Sequence, residues 1–112
     1  MISRKTILID LDGVLNTYNG EYNSKFIPPI RKGAFEFIET LSKNYTLKIF
    51  TTREKPLVRK WIYDNNLEKY ISEISNTKEP AWLIIDDRCI TFRGDYNQAL
   101  KSIEAFDIWY KE

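Results

Sequence analysis

The sequence contains no histidine and a single cysteine, Cys89, among its 112 residues. Without histidine, the chain offers neither the imidazole of a Ser-His-Asp triad nor a histidine-ligated zinc site. One cysteine alone forms neither a disulfide within the chain nor a thiolate cage around zinc. Any catalytic chemistry must therefore depend on carboxylates, hydroxyls and lysine.

A strong net charge and long apolar runs are also missing. The 17 Lys and Arg residues nearly balance the 16 Asp and Glu residues, whereas domains that bind nucleic acid are usually strongly basic. The longest early apolar stretch, Thr6–Leu11, is short and is interrupted by Asp10, which argues against a signal peptide or a membrane-spanning helix. We therefore expect a cytoplasmic protein with no membrane partner and no strong nucleic-acid signature.

The remaining composition is that of an ordinary globular domain. Hydrophobic residues make up 43% and charged residues 29% of the chain, close to the averages for folded proteins. The length suits a single core, and no repeat or Ser/Gly-rich linker divides the sequence. We therefore predict one domain over residues 1–112.

Short apolar segments alternate with segments of helical periodicity. The apolar segments predict strands at residues 6–11, 47–51, 71–74 and 81–85, and a small edge strand at 90–92. The spacing of apolar residues predicts a helix from Pro29 or Ile30, a second from Pro56 to about Asn65, and a third after Gly94-Asp95. This alternation predicts an α/β domain, doubly wound and Rossmann-like, with three layers and a mainly parallel sheet of about five strands.

Oxygen-bearing side chains follow three of the predicted strands, where such sheets bind their ligands. They are Asp10, Asp12, Thr51, Asp86 and Asp87. Two carboxylates about 4 Å apart repel each other by about 4 kcal/mol at an effective dielectric constant near 20. A divalent cation relieves that repulsion, and ligands that are all oxygen favour Mg²⁺. Lys78, just before the last of these strands, can supply further positive charge.

The segment Asp10-Leu11-Asp12-Gly13-Val14-Leu15 resembles the first motif of the haloacid dehalogenase-like superfamily, most of whose members are phosphatases and phosphotransferases. Thr51 resembles its second motif, Lys78 its third, and Asp86-Asp87 its fourth. The resemblance spans residues 6–96. In the subgroup of the superfamily that residues 78–92 resemble, proline more often follows the lysine, whereas Glu79 follows it here.

The resemblance implies a phosphatase in which Asp10 is the nucleophile and forms an aspartyl-phosphate. Asp12 would be the general acid and then the general base, and its presence favours phosphoryl transfer over dehalogenation. Mg²⁺ would be held by Asp10, the backbone carbonyl of Asp12, and Asp86, with Asp87 acting directly or through water.

The resemblance also implies that Thr51 and Lys78 bind the phosphoryl oxygens of the substrate. Thr52 and Arg53 are further substrate-binding candidates, and Arg53 has the alternative of pairing with Glu54 or a neighbouring carboxylate. Only residues 15–28 separate the first motif from its helix, so no cap domain is expected and the site should be open. We therefore expect a phosphorylated small molecule, nucleotide or macromolecular end as substrate. An open site suits a bulky substrate, whereas a small one would need a loop, or another subunit of a homo-oligomer, to cover it.

A signalling receiver domain is an alternative, because it also combines a doubly wound sheet with acidic residues, Mg²⁺, a threonine and a lysine. In receivers the acidic pair comes early in the chain and the hydroxyl and lysine come last. Here Asp86-Asp87 follows both Thr51 and Lys78, an order that disfavours a receiver. A non-catalytic or phospho-accepting binding module on the same scaffold is the other alternative.

Overall fold

A four-stranded parallel sheet forms the centre of the protein, whose computed structural model describes residues 4–109. The strand order is β3-β2-β1-β4. The strands are β1 (Thr6–Asp10), β2 (Thr46–Phe50), β3 (Glu73–Ser75) and β4 (Leu83–Ile85), and the helices are α1 (Ala34–Ser42), α2 (Lys55–Asp64) and α3 (Tyr96–Ala105). This architecture confirms the predicted Rossmann-like α/β fold.

The core lies between one face of the sheet and the helices α1 and α2. Both connections, from β1 to β2 and from β2 to β3, lead in the same direction along the sheet. Right-handed crossovers therefore bring both helices to the same face. The buried residues of this core include Ile7, Ile9, Leu47 and Ile49 from the strands, Ala34 and Ile38 from α1, and Val58, Trp61 and Ile62 from α2.

The sheet has four strands within residues 4–109, where the sequence predicted about five. Residues 90–92 form no strand, and Ile90 and Phe92 are exposed. Because no strand pairs with its other side in this part of the chain, β4 is an edge of the sheet. The strand predicted at 71–74 is shifted toward the C-terminus, to Glu73–Ser75.

The first helix begins at Ala34 instead of Pro29 or Ile30. Gly33 precedes it with a φ of 89°, in the left-handed region. A residue in that conformation cannot belong to a right-handed α-helix, so Gly33 separates the helix from the preceding extended segment. The sequence pattern missed this boundary because Ile30, which is partly buried against the core, has the spacing of a helical residue without being in the helix.

Helix α3 packs against no other helix or strand among residues 4–109. Its apolar residues Leu100 and Ile103 are 61% and 59% exposed. Within the described chain, α3 thus does not add the expected third layer. The Cα radius of gyration is 15.1 Å, whereas about 13 Å is typical of a domain of this length. No helix in the described part of the chain has both the length and the apolar character needed to cross a membrane.

The parallel register aligns the strand ends that carry the predicted site. Ile9 of β1 pairs with Ile85 of β4, and Asp10 pairs with Phe50 of β2. The residues that follow these pairs therefore leave the sheet at one edge. Asp10, Thr51 and Asp86 all lie at this edge.

Candidate functional site

Three aspartates form an acidic cluster at the carboxyl edge of the sheet. Asp10 ends β1, and Asp86 and Asp87 follow β4 directly. One carboxylate oxygen from each of the three lies within 4.8 Å of the others. The cluster arises because neighbouring parallel strands, in register at Ile9 and Ile85, end side by side.

Burial and mutual repulsion disfavour the charged forms of this cluster. Burial, followed by the charges of Asp86 and Asp87, raises the pKa of Asp10 from 3.8 to about 8. The backbone N–H of Leu11 donates to Asp10 Oδ1 at 2.9 Å and opposes this shift. Burial also raises the pKa of Asp87, and the charge of Asp86 adds to the effect.

The acidic cluster fits a hard divalent cation. The buried Oδ2 atom of Asp87 has no hydrogen-bond partner, and buried polar atoms without a partner are uncommon in native proteins. The three residues offer only carboxylate oxygens, the ligands that Mg²⁺ prefers. A cation at this point would both satisfy Asp87 and offset the repulsion at Asp10.

The Asp12 carboxylate lies outside the acidic cluster and is bound by Arg53. Arg53 Nε donates to Asp12 Oδ2 at 2.9 Å, and Arg53 Nη2 donates to Asp12 Oδ1 at 3.1 Å. Of the two sequence-based alternatives for Arg53, the structure thus has the pairing with a neighbouring carboxylate. Arg53 is 1% exposed, so this ion pair is shielded from solvent on the arginine side.

Asn16 is a buried polar residue that the sequence analysis did not identify. Its Oδ1 accepts hydrogen bonds from the backbone N–H groups of Gly13, at 3.1 Å, and Tyr18, at 3.0 Å. Its Nδ2 donates to Asp12 Oδ1 at 3.0 Å. An asparagine in a polar, turn-prone segment gives only a general turn signal, so the sequence did not distinguish Asn16 from Asn19 or Asn23.

Thr51 follows β2 and is 5% exposed. Its Oγ1 accepts a hydrogen bond from the backbone N–H of Arg53 at 3.2 Å. The side chain of Asn76 donates to the carbonyl oxygen of Thr51 at 2.6 Å, which holds the segment after β2 to the segment after β3. Thr52, the neighbouring candidate, is exposed.

Lys78 is exposed in the connection between β3 and β4. Among residues 4–109, Lys78 forms no ion pair with the aspartates of the acidic cluster. The next residue, Glu79, is held by Lys48, whose Nζ lies 2.8 Å from Glu79 Oε1 and 2.9 Å from Glu73 Oε1. This contact fixes the connection next to Lys78, and the hydrogen bond from Lys48 lowers the pKa of Glu79.

A cavity lies elsewhere, between α2 and β3. Its volume is about 520 Å³, and residues such as Arg59, Ile62 and Ile71 line it. None of the predicted site residues contributes to this cavity. The acidic cluster is nevertheless the candidate site, because it combines the raised pKa of Asp10 with three carboxylates that could hold a metal ion.

Comparisons with known proteins identify the family of the chain. Residues 5–108 match the family of NLI interacting factor-like phosphatases. No curated protein matches the chain. A solved structure, a conserved protein from Bacteroides thetaiotaomicron, is 20% identical, with a TM-score of 0.61 and 92% of each chain covered, and this likeness supports the fold alone. The resemblance to the haloacid dehalogenase-like superfamily is thus confirmed: the chain belongs to the NLI interacting factor-like phosphatases, a haloacid dehalogenase-like family of hydrolases.

Proposed function

We propose that this phosphatase hydrolyses a phosphate monoester in an Mg²⁺-dependent reaction through an aspartyl-phosphate on Asp10. The observation that carries the proposal is the acidic cluster of Asp10, Asp86 and Asp87, with one oxygen of each within 4.8 Å of the others. A partly buried cluster of like charges is costly to keep for structure alone. A bound cation would offset this electrostatic cost, which supports a cation site beside the nucleophile Asp10.

The carboxylates of Asp10, Asp86 and Asp87 would hold the Mg²⁺ ion, with the backbone carbonyl of Asp12 as a further ligand. The bound ion supplies positive charge that offsets the charge of the substrate phosphoryl group and of its ligands. Asp10 must be ionised to act as a nucleophile, yet its pKa in the metal-free protein is about 8. Metal binding and nucleophile activation are therefore coupled at Asp10.

Two steps complete the reaction at Asp10 and Asp12. In the first, an oxygen of Asp10 forms a bond to phosphorus, the bond from phosphorus to the ester oxygen breaks, and Asp12 gives that oxygen a proton. In the second, water attacks the aspartyl-phosphate and gives a proton to Asp12. Phosphate then leaves, and both carboxyl groups return to their starting forms.

Thr51 and Lys78 would bind the phosphoryl oxygens of the substrate. Thr51 is buried at the end of β2 with its hydroxyl near the backbone of Arg53. Lys78 is exposed and free of ion pairs in the described chain, so its ammonium group is available to a phosphate. Because no domain covers this edge between residues 4 and 109, the substrate class that we propose includes small phosphorylated molecules, nucleotides and macromolecular ends.

The proposal is tested by turnover of p-nitrophenyl phosphate by wild-type protein and Asp10→Asn. We expect hydrolysis with millimolar Mg²⁺, none above background in excess EDTA, and a loss of at least a thousandfold in Asp10→Asn. Asp64→Asn, at an exposed position on α2, is the matched control and should keep wild-type activity. Full activity of Asp10→Asn, or full activity in EDTA, would contradict the mechanism and favour the non-catalytic binding module.

A further inference from the structure

Arg53 is the largest fully buried side chain among residues 4–109, and it binds Asp12 rather than solvent. We infer that Arg53 is a positioning residue: it fixes the orientation of the Asp12 carboxylate for proton transfer and is not a ligand of the substrate phosphate. This inference rests on the proposed role of Asp12 as general acid and base.

The contacts around Asp12 hold its carboxylate in one orientation. Arg53 binds both carboxylate oxygens, through Nε at 2.9 Å and Nη2 at 3.1 Å. A planar guanidinium that binds both oxygens fixes the plane of a carboxylate, which a lysine ammonium does not. Asn16 Nδ2 adds a third hydrogen bond, to Oδ1 at 3.0 Å.

Arg53 is itself fixed to the sheet. Its backbone N–H donates to Thr51 Oγ1 at 3.2 Å, and its carbonyl oxygen accepts a hydrogen bond from Asn76 Nδ2 at 2.9 Å. Asn76 follows β3 and also binds the carbonyl oxygen of Thr51. The guanidinium therefore extends from a backbone that two neighbouring strand ends hold in place.

The rest of the guanidinium contacts the segment that follows the first motif. Arg53 Nη1 donates to the carbonyl oxygen of Asn23 at 2.8 Å, and the guanidinium lies 4.7 Å from the ring centroid of Tyr22. Three of the five N–H donors of this guanidinium thus bind the chain itself. Few donors are left for a phosphate, which favours positioning over substrate binding.

The consequence for catalysis depends on the leaving group. An alkoxide leaves poorly unless it is protonated, whereas p-nitrophenolate leaves readily without a proton. A general acid typically contributes 10²- to 10⁴-fold to the rate. Misplacement of Asp12 should therefore slow the cleavage of an alkyl phosphate much more than that of p-nitrophenyl phosphate.

The test compares Arg53→Gln and Arg53→Lys with wild-type protein on p-nitrophenyl phosphate and glycerol 2-phosphate. The measured quantity is kcat/KM, which covers the steps up to the first irreversible one. We expect a loss on the alkyl phosphate at least tenfold larger than on the aryl phosphate, in both variants. Arg59→Gln, at an exposed position on α2, controls for loss of an arginine charge and should leave both values unchanged.

Three results would overturn the inference. Equal losses on both substrates with a raised KM would make Arg53 a substrate ligand. A lower melting temperature with an unchanged ratio of the two kcat/KM values would make its role structural. If Arg53→Gln fails to fold, Arg53→Lys is combined with Asp12→Asn in a double variant. We expect the double variant to have the same kcat/KM on glycerol 2-phosphate as Asp12→Asn alone. A further, additive loss of kcat/KM would contradict the inference.

The failure of this inference is distinguishable from the failure of the proposed function. If Asp10→Asn is inactive and the Arg53 variants keep the wild-type ratio, only the role of Arg53 is wrong. If Asp10→Asn keeps full activity, or if wild-type protein cleaves neither phosphate, the proposed function is wrong and the role of Arg53 fails with it.

Discussion

Asp10 shows how the fold alters the chemistry of a single residue. An aspartate at the end of a strand is an ordinary feature of a sequence, but partial burial beside Asp86 and Asp87 raises its pKa to about 8. The acidic cluster could be predicted because the residue types at the strand ends can be read directly from the sequence. The pairing of Asp12 with Arg53 could not, since the two are 41 positions apart and Glu54 and other carboxylates were equally possible partners.

The raised pKa of Asp10 predicts that the metal-free protein loses stability as pH rises. Between pH 4 and pH 8 the native state keeps a proton on Asp10 that the unfolded state releases, so the free energy of unfolding falls over this range. Asp10→Asn lacks this titration. In urea unfolding with EDTA, we expect the free energy of unfolding of Asp10→Asn to rise relative to that of wild type by about 1–3 kcal/mol between pH 5.5 and pH 8.5. This magnitude allows for solvent screening of a partly exposed group.

The control for this measurement is Asp64→Asn, since Asp64 is an exposed acid paired with Lys60 across one helical turn. The difference in free energy of unfolding between Asp64→Asn and wild type should stay constant across the same pH range, because a surface ion pair contributes little to stability. A constant difference for Asp10→Asn as well would contradict the raised pKa.

Helices α2 and α3 show why apolar periodicity alone does not predict burial. Both have apolar residues at helical spacing, yet Ile62 of α2 is 4% exposed and Leu100 of α3 is 61% exposed. Periodicity indicates that a helix has an apolar face, but not what that face contacts. The connections from β1 to β2 and from β2 to β3 return to the sheet and thereby bring α1 and α2 onto it, whereas α3 follows the edge strand β4 and leads to no further strand in the described chain.

This difference predicts unequal effects of the same kind of substitution. Ile62→Ala should lower the free energy of unfolding by about 2–5 kcal/mol, because it leaves a cavity in the core. Leu100→Ala should change it by less than about 0.5 kcal/mol, because its side chain is largely in solvent. Urea unfolding of both variants measures the two values. A comparable loss of unfolding free energy in Leu100→Ala would show that α3 is packed in solution, either on the sheet or against another copy of the chain. The homo-oligomer expected from the sequence stays a prediction.

At the scale of the whole molecule, the parallel topology assembles the site from distant parts of the sequence. Every parallel strand presents its carboxyl end at one edge, so Asp10 and Asp86 could be placed at the same edge without knowledge of the strand order. Their close approach also requires β1 and β4 to be neighbours in the sheet. The order β3-β2-β1-β4 itself, the number of strands and the exposure of α3 depend on packing between distant segments. A single sequence does not report that packing. The family match over residues 5–108 agrees with the superfamily resemblance that the four motifs carried.

Because the proposed metal ligands come from β1 and from the segment after β4, Mg²⁺ binding should stabilise the whole molecule. A ligand that binds only the native state at a hundred times its Kd adds about 2.7 kcal/mol to the free energy of unfolding, which corresponds to a rise of about 10 °C in Tm for a domain of this size. The rise should be smaller at pH 6 than at pH 8.5, since below pH 8 a proton competes for Asp10. Scanning calorimetry of wild type and Asp86→Asn measures both effects, and an equal Mg²⁺-induced rise in the two proteins would show that the ion binds away from the acidic cluster.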